Sequence, residues 1–345
     1  MAQLNEANLA RINSTVALPK YDRSALKTGI VHFGVGGFHR AHMAMSIDRL
    51  LSQGKAKDWA ICGVGLLEHD RRMRDIFEQQ DCLYTLVLKH PDGRREASVI
   101  GSITEYIFAP ESPELLIEKL ASPDTKIVSL TITEGGYNFD RLTGEFMAST
   151  PQVASDLVDG AIPSTAFGYI FEGLRLRRER GLVPFTVQSC DNIQANGDVA
   201  KQMFVAFARL KDAEFGDWME ANVSFPNSMV DRITPVTAAE DIEEVEAILG
   251  VTDAWPVVAE PFFQWVIEDE FTLGRPPLED VDVQMVHDVM PYELMKLRLL
   301  NASHQGLTYF GYLSGYRYAH EATSDPAISK FLLKYMELEA TPTLL

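Results

Sequence analysis

The stretch GIVHFGVGGFHRAH, Gly29 to His42, decides how the rest of the chain is read. GIVHF is a short β-branched and aromatic run that ends abruptly in glycine, the pattern of a buried strand feeding a turn. Behind the turn Gly34-Val35-Gly36-Gly37-Phe38, residues Met43, Ile47, Leu50 and Leu51 recur at helical spacing until Gly54 stops them. In the order strand, glycine turn, helix, backbone N–H groups at the helix N-terminus can approach a pyrophosphate, because no Cβ intervenes. Gly34, Gly36, Gly37 and Phe38 are therefore candidate cofactor-binding residues. The fit to GxGxxG is incomplete, since His39 stands where the third glycine would let helix and strand touch. A plain tight turn would use the same glycines.

The next strand, WAICGVGLL (Trp59 to Leu67), ends in Glu68-His69-Asp70. An acidic residue at the tip of the second strand is where a dinucleotide fold holds the adenosine ribose hydroxyls, and it repels a 2′-phosphate, which favours NAD over NADP. Glu68 fits that role. Asp70 fits it equally with a second one, the N-cap of a helix that buries Met73, Ile76 and Phe77. CLYTLVLKH and ASVIGSITEYIF, joined across Pro91-Asp92-Gly93, are expected to form an inserted antiparallel piece. KIVSLTI (Lys126 to Ile132) ends in the polar turn Thr133-Glu134-Gly135-Gly136-Tyr137, and PFTVQSC ends in Asp191-Asn192. Strand ends of this kind collect at the ligand crevice of a parallel sheet.

This alternation predicts an α/β fold, a Rossmann-like doubly wound and mostly parallel sheet with an antiparallel insertion, followed by an incomplete, mainly α-helical domain. The expected boundary divides a dinucleotide-binding domain, residues 1–285, from the start of a helical substrate domain, residues 286–345, because β/α alternation stops there. Bulk properties narrow the partners. A formal net charge of −18 argues against nucleic acid and anionic membranes. The basic run RLRRER, Arg175 to Arg180, reads as the solvated side of a helix, as does the acidic run AEDIEEVEAIL. No apolar run is long enough to span a bilayer and no signal peptide is evident, so a cytoplasmic location is expected. Cys62, Cys82 and Cys190 are far apart with no metal-ligand spacing, and His320-Glu321 lacks the second histidine of a zinc-protease helix, so no metal is expected.

In MKLRLLNASHQG, Met295 to Gly306, residues Lys296, Asn301 and His304 sit at about 0°, 140° and 80° around an α-helix, so all three share one side. A base, an amide and an imidazole there suit proton-transfer chemistry on an oxygen substrate. A half-exposed helix also carries such residues with no function.

Together with HFGVGGFHRAH and VSFPNSMVDRITP (Val223 to Pro235), the K-x4-N-x2-H spacing of Lys296, Asn301 and His304 resembles the long-chain mannitol dehydrogenase family of polyol-specific dehydrogenases. The likeness extends over nearly the whole chain and points towards the bacterial mannitol 2-dehydrogenases. It implies metal-independent, NAD-dependent interconversion of a polyol and a ketose, D-mannitol and D-fructose. Lys296 is then the general base, and Asn192 and Asn301 steady the developing alkoxide. His304 belongs to the same group, Asp231 contacts the polyol, and Glu293 relays the proton to solvent. Glu293 also has a plain explanation as an acid near a helix N-terminus.

The resemblance further implies a chain truncated at Thr341–Leu345. The family's later helices supply an arginine and a lysine to the sugar, and without them Leu297, Leu300, Tyr309, Phe310 and Tyr312 would be uncovered. Two other readings stay open: a hexuronate (fructuronate- or tagaturonate-type) reductase or other polyol dehydrogenase, and a remnant that binds NAD without catalysis.

Overall fold

The computed structural model describes residues 1–140 and 142–344, leaving Arg141 and Leu345 outside. The chain forms two compact units, Met1–Met285 and Val286–Leu345.

In the first unit, strands β1 (Thr28–Phe33), β2 (Ala60–Gly65), β5 (Ile103–Phe108), β6 (Ile127–Leu130) and β7 (Thr186–Ser189) make one parallel sheet in the order β5-β2-β1-β6-β7. Counting only these strands the order is 3-2-1-4-5, which puts a reversal of winding direction between β1 and β6, where α/β folds open a ligand crevice. Successive residues of β1 serve opposite sides of the sheet, as the period of two requires. Val31 and Phe33 join one core with Leu116, Leu120, Phe167, Phe171, Phe204 and Phe207, whereas Ile30 joins the other with Met43, Ile47 and Leu50. The first core belongs to helices α4 (Pro113–Ala121), α7 (Ala166–Glu179) and α8 (Asn196–Lys211), and the second to α1 (Gly37–Ala41) and α2 (Met43–Ser52). Both sheet faces are covered, so the apolar runs read as strands are continuous rather than alternating.

The antiparallel insertion is present but smaller than its sequence suggests. β3 (Tyr84–Lys89) and β4 (Arg95–Ile100) pair antiparallel across the Pro91-Asp92-Gly93 turn, and β9 (Val257–Ala259) adds to β3 in parallel. The second half of ASVIGSITEYIF breaks away at Gly101 and becomes β5, the edge of the parallel sheet. A third sheet joins β8 (Ser228–Asp231), β10 (Gln264–Glu268) and β11 (Gln284–Val286). Five more α-helices among the described residues complete this unit: α3 (Arg71–Gln79), the turn α5 (Thr133–Gly136), α6 (Pro151–Asp156), α9 (Ala213–Asn222) and, on the surface, the acidic α10 (Ala239–Leu249).

The basic run on α7 is not uniformly solvated. Arg177 is buried and donates to the carbonyls of Leu120, Ser122 and Val183, tying α7 to α4, while Arg175 pairs with half-buried Glu172 and Arg178 with exposed Glu214. A buried guanidinium is tolerated because backbone oxygens satisfy its fork.

The second unit is helical: α11 (Met290–Met295), a π-helical turn Lys296–Asn301, α12 (Ala302–Leu313), α13 (Ala319–Ser324) and α14 (Pro326–Tyr335). Its small core is Leu307, Ala322, Ile328 and Leu332. Leu297, Leu300, Tyr309, Phe310 and Tyr312 are exposed, the last to 80%. No helix among the described residues is long and apolar enough to cross a membrane.

Candidate functional site

The glycine turn is built by backbone constraints at one residue. Gly34 lies at φ +90°, its N–H bonds to the Val64 carbonyl of β2, and a Cβ there would fall 2.1 Å from the Thr131 carbonyl oxygen. No other residue type fits. Gly36 differs: its φ is −88°, and a Cβ would have nothing closer than the Gly34 oxygen at 4.0 Å. The space over Gly36 is therefore left open by the protein, as backbone approach to a pyrophosphate requires. A Cβ on Gly37 would lie 3.4 Å from Thr234, and Phe38 stacks on His42 at 4.7 Å.

Beneath the turn is a buried pair of imidazoles. His32 on β1 places Nε2 2.9 Å from Thr131 Oγ1, just past β6, and Nδ1 2.8 Å from Ser129 Oγ on β6. Thr131 spends its one hydroxyl proton on the Gly34 carbonyl at 2.6 Å, so it accepts from His32. That fixes the neutral tautomer with the proton on Nε2, in keeping with burial, which pushes the ring down to about 3. The ring of His39 stacks on it, centroids 3.4 Å apart, and fills the space between α1 and β1 that a glycine would leave. Burial, with His32 and His42 nearby, holds His39 well below the usual range as well. Nothing in the local pattern points to this stack, because the two rings belong to different elements.

Gly34 of the turn lines a cavity of about 510 Å³ at the C-terminal ends of β1, β2 and β6. Leu66, Leu67 and Asp70 line it from β2, Thr131 to Thr133 from β6, and Thr165 to Phe167 from the start of α7. Asp70 makes no side-chain cap to α3; its Oδ2 accepts the Leu66 and Leu67 N–H groups at 3.0 and 2.9 Å, folding the strand tip. Glu68 is exposed and holds Arg71 through both oxygens, at 2.6 and 3.1 Å.

Asp191, expected only as a strand end at the crevice, secures the other wall. It accepts the Ile132 and Thr133 N–H groups at 3.0 and 2.8 Å and the Tyr137 hydroxyl at 2.8 Å. It thereby supports Thr133 at φ +64°, while burial raises its own pKa. Its neighbour Asn192 is exposed at the end of β7. Asp231 closes β8 opposite Gln264, and the next residue, buried Arg232, donates to the Ala41 carbonyl at 2.7 Å, tying VDRITP to the end of α1.

In the second unit, the helix from Met290 to Leu313 is not α-helical throughout. Lys296–Asn301 is a π turn, closed by an i→i+5 bond from Ala302 N to the Leu297 carbonyl. In an α-helix Lys296 and Asn301 would stand about 140° apart; the wider turn narrows that angle and brings them nearer one line along the axis. Glu293, Lys296 and Asn301 are partly buried. His304 is exposed and lines a groove with Leu307, Tyr312 and Tyr316.

The model of the mannitol dehydrogenase Rossmann domain matches residues 28–280, and that of the mannitol dehydrogenase C-terminal domain matches residues 288–345. The chain belongs to the mannitol dehydrogenase family. It is 50% identical over 342 residues to mannitol dehydrogenase 2 of Saccharomyces cerevisiae, covering 99% of this chain and 68% of the yeast protein. Against the mannitol 2-dehydrogenase of Phaeosphaeria nodorum the identity is 49%, with 99% of this chain and 60% of that one covered. Among solved structures, the mannitol 2-dehydrogenase of Pseudomonas fluorescens, in a ternary complex with NAD and D-mannitol, is similar with a TM-score of 0.92 and 50% identity. The match covers 99% of this chain and 70% of that one. A substrate-free D-sorbitol dehydrogenase gives 0.96 and 43%, with 99% and 71% covered. This member of the mannitol dehydrogenase family thus spans between about three fifths and seven tenths of its relatives' lengths.

Proposed function

We propose that the chain carries out NAD-dependent oxidation of a polyol to a ketose, D-mannitol to D-fructose, by hydride transfer. The observation that carries this reading is the 50% identity and 0.92 TM-score to an enzyme whose complex holds NAD and D-mannitol. The glycine cradle fits the cofactor on its own terms, since Gly36 leaves room for a pyrophosphate where any side chain would intrude. Gly34, Gly36, Gly37 and Phe38 would line the pyrophosphate side of that cofactor, with Glu68 and Asp70 at the ribose end. NAD, when bound, supplies the acceptor for the hydride at nicotinamide C4.

The chain's own residues supply the rest. Lys296 acts as general base on the C2 hydroxyl, because loss of hydride from that carbon requires loss of the O–H proton. Asn192 and Asn301 donate N–H groups to the oxygen as its charge grows, and amides do so without competing for the proton. His304 and Asp231 orient the remaining hydroxyls, and Glu293 passes the proton on to solvent.

The likeness to D-sorbitol dehydrogenase, with a TM-score of 0.96, supports a second polyol as an alternative substrate. Quenching of protein fluorescence by NADH, followed by assays with fructose, mannitol, sorbitol and fructuronate, tests these readings. Reduction of fructose by NADH is the expected result. Turnover of fructuronate but not fructose identifies a hexuronate reductase, and binding without turnover identifies a non-catalytic NAD-binding protein.

A further inference from the structure

The tip of β2 carries two arginines that the proposed function leaves unused. Arg71 and Arg74, on the first turn of α3, lie over the ring of Phe108, the last residue of the neighbouring strand β5, at 4.9 and 5.6 Å. Both donate an Nη1 to Glu111, three residues beyond that strand. Arg71 gives its other nitrogens to Glu68. Each of the two glutamates is held below its usual carboxylate range by its Arg71 hydrogen bond.

In a dinucleotide fold this tip decides between the two cofactor types: a carboxylate takes the ribose 2′-hydroxyl, and an arginine nearby accommodates a 2′-phosphate. Here both groups are present. The carboxylates Glu68, Asp70, Asp75 and Glu111 outnumber Arg71 and Arg74, so a doubly charged phosphate meets net negative charge and occupied guanidinium forks.

We propose that Glu111 is a cofactor-specificity residue, which keeps a latent site for a 2′-phosphorylated adenine dinucleotide closed by holding Arg71 and Arg74. This rests on the reading of the 510 Å³ cavity as the dinucleotide site. Glu111 is distant in sequence from the β2 tip and reaches it only because β5 is the strand beside β2. Removing its charge lowers the negative excess of the cluster and frees one Nη1 on each arginine, the donors a phosphate needs.

The test is titration calorimetry of the full chain with 5′-ADP, adenosine 2′,5′-bisphosphate, NADH and NADPH, comparing the parent with Glu111→Gln. The expected result is an affinity for the 2′-phosphorylated ligands raised on the order of tenfold, with 5′-ADP affinity unchanged. Adding Arg71→Gln should remove the gain, and raised salt should shrink it. Equal ligand preference in parent and Glu111→Gln, with 5′-ADP still bound, overturns the proposal. So does a gain that survives Arg71→Gln. Failure of every nucleotide to bind the parent overturns instead the dinucleotide reading of the cavity, and the proposal with it.

Discussion

His32 Nε2 lies 2.9 Å from Thr131 Oγ1, and the same hydroxyl donates to the Gly34 carbonyl at 2.6 Å, so one threonine just past the end of β6 connects the buried imidazole of β1 to the glycine turn. Replacing Thr131 with Val keeps the shape but removes the hydroxyl from both groups, leaving the His32 N–H only the Gly34 carbonyl at 3.3 Å, an oxygen the Gly36 N–H already uses. A loss of ~1–3 kcal/mol in urea unfolding is expected, with weaker NADH binding, and Thr131→Ser should restore most of both. Unchanged unfolding in Thr131→Val would show that the link carries no stability.

Gly34 and Gly36 should respond differently to the same substitution. Gly34→Ala forces a Cβ at φ +90° to within 2.1 Å of a backbone oxygen and should cost roughly 4 kcal/mol or more, seen as loss of folded protein. Gly36→Ala meets nothing closer than 4.0 Å, so thermal unfolding should stay close to that of the parent. NADH quenching should nevertheless disappear in Gly36→Ala, because the methyl group occupies the pyrophosphate's approach. Full NADH affinity in Gly36→Ala would contradict the cradle assignment.

Acid should destabilise the first unit through its histidines. His32 falls from 6.5 to about 3 on folding and His39 falls well below its usual value, so the unfolded chain binds the extra protons. Their contribution is fully present above pH 6.5 and is lost as pH falls towards the folded value. Asp48, raised by burial from 3.8 to about 6, acts oppositely between those two values, its stabilisation being lost as pH rises. The two histidines act together against Asp48 and the likewise raised Asp191, and a net loss of stability is expected on acidification through that window. Urea midpoints at about pH 6 and about pH 5 measure it. His39→Leu should flatten the slope and cost little near neutrality, since neither ring nitrogen has a hydrogen-bond partner among the described residues.

Lys296→Ala separates chemistry from binding. Turnover should fall at every pH, by ~100-fold or more, for a residue that takes the substrate proton. NADH quenching should persist. Loss of NADH binding in that variant would mean that Lys296 serves the cofactor or the fold.

The exposed apolar residues of the second unit give a further prediction. Tyr309, Tyr312 and Leu313 are 72–80% exposed, a patch expected to bind hydrophobic dyes and promote association. Tyr312→Gln with Leu313→Gln should reduce both dye fluorescence and the size seen by light scattering, with the helix content unchanged.

Much of the architecture is written locally. Gly29–His42 and the runs ending at Gly65 and Thr131 specify a parallel sheet covered on both faces, because burial on both sides demands unbroken apolar runs and only glycine permits the turn at Gly34. ITEYIF shows the limit of this reading. As an isolated segment it continues the hairpin, yet it leaves at Gly101 to become β5, since the open edge of β2 offers a full parallel ladder.

The site divides in the same way. Its glycines and strand-tip acids are visible in the sequence, but the partner of each is not. Asp70 turns back on the amides before it, while Glu68 joins an arginine network completed by Glu111. The π turn that realigns Lys296 and Asn301 follows no local signal, as six residues of ordinary helix formers suit an α-helix equally. The sequence by itself determined the order of strands, turns and helices, because periodicity and glycine geometry act between near neighbours. Only the tertiary structure decided which polar groups meet, as with His32 and Thr131, 99 residues apart: burial requires every donor to find an acceptor, and the strand order selects which one is within reach.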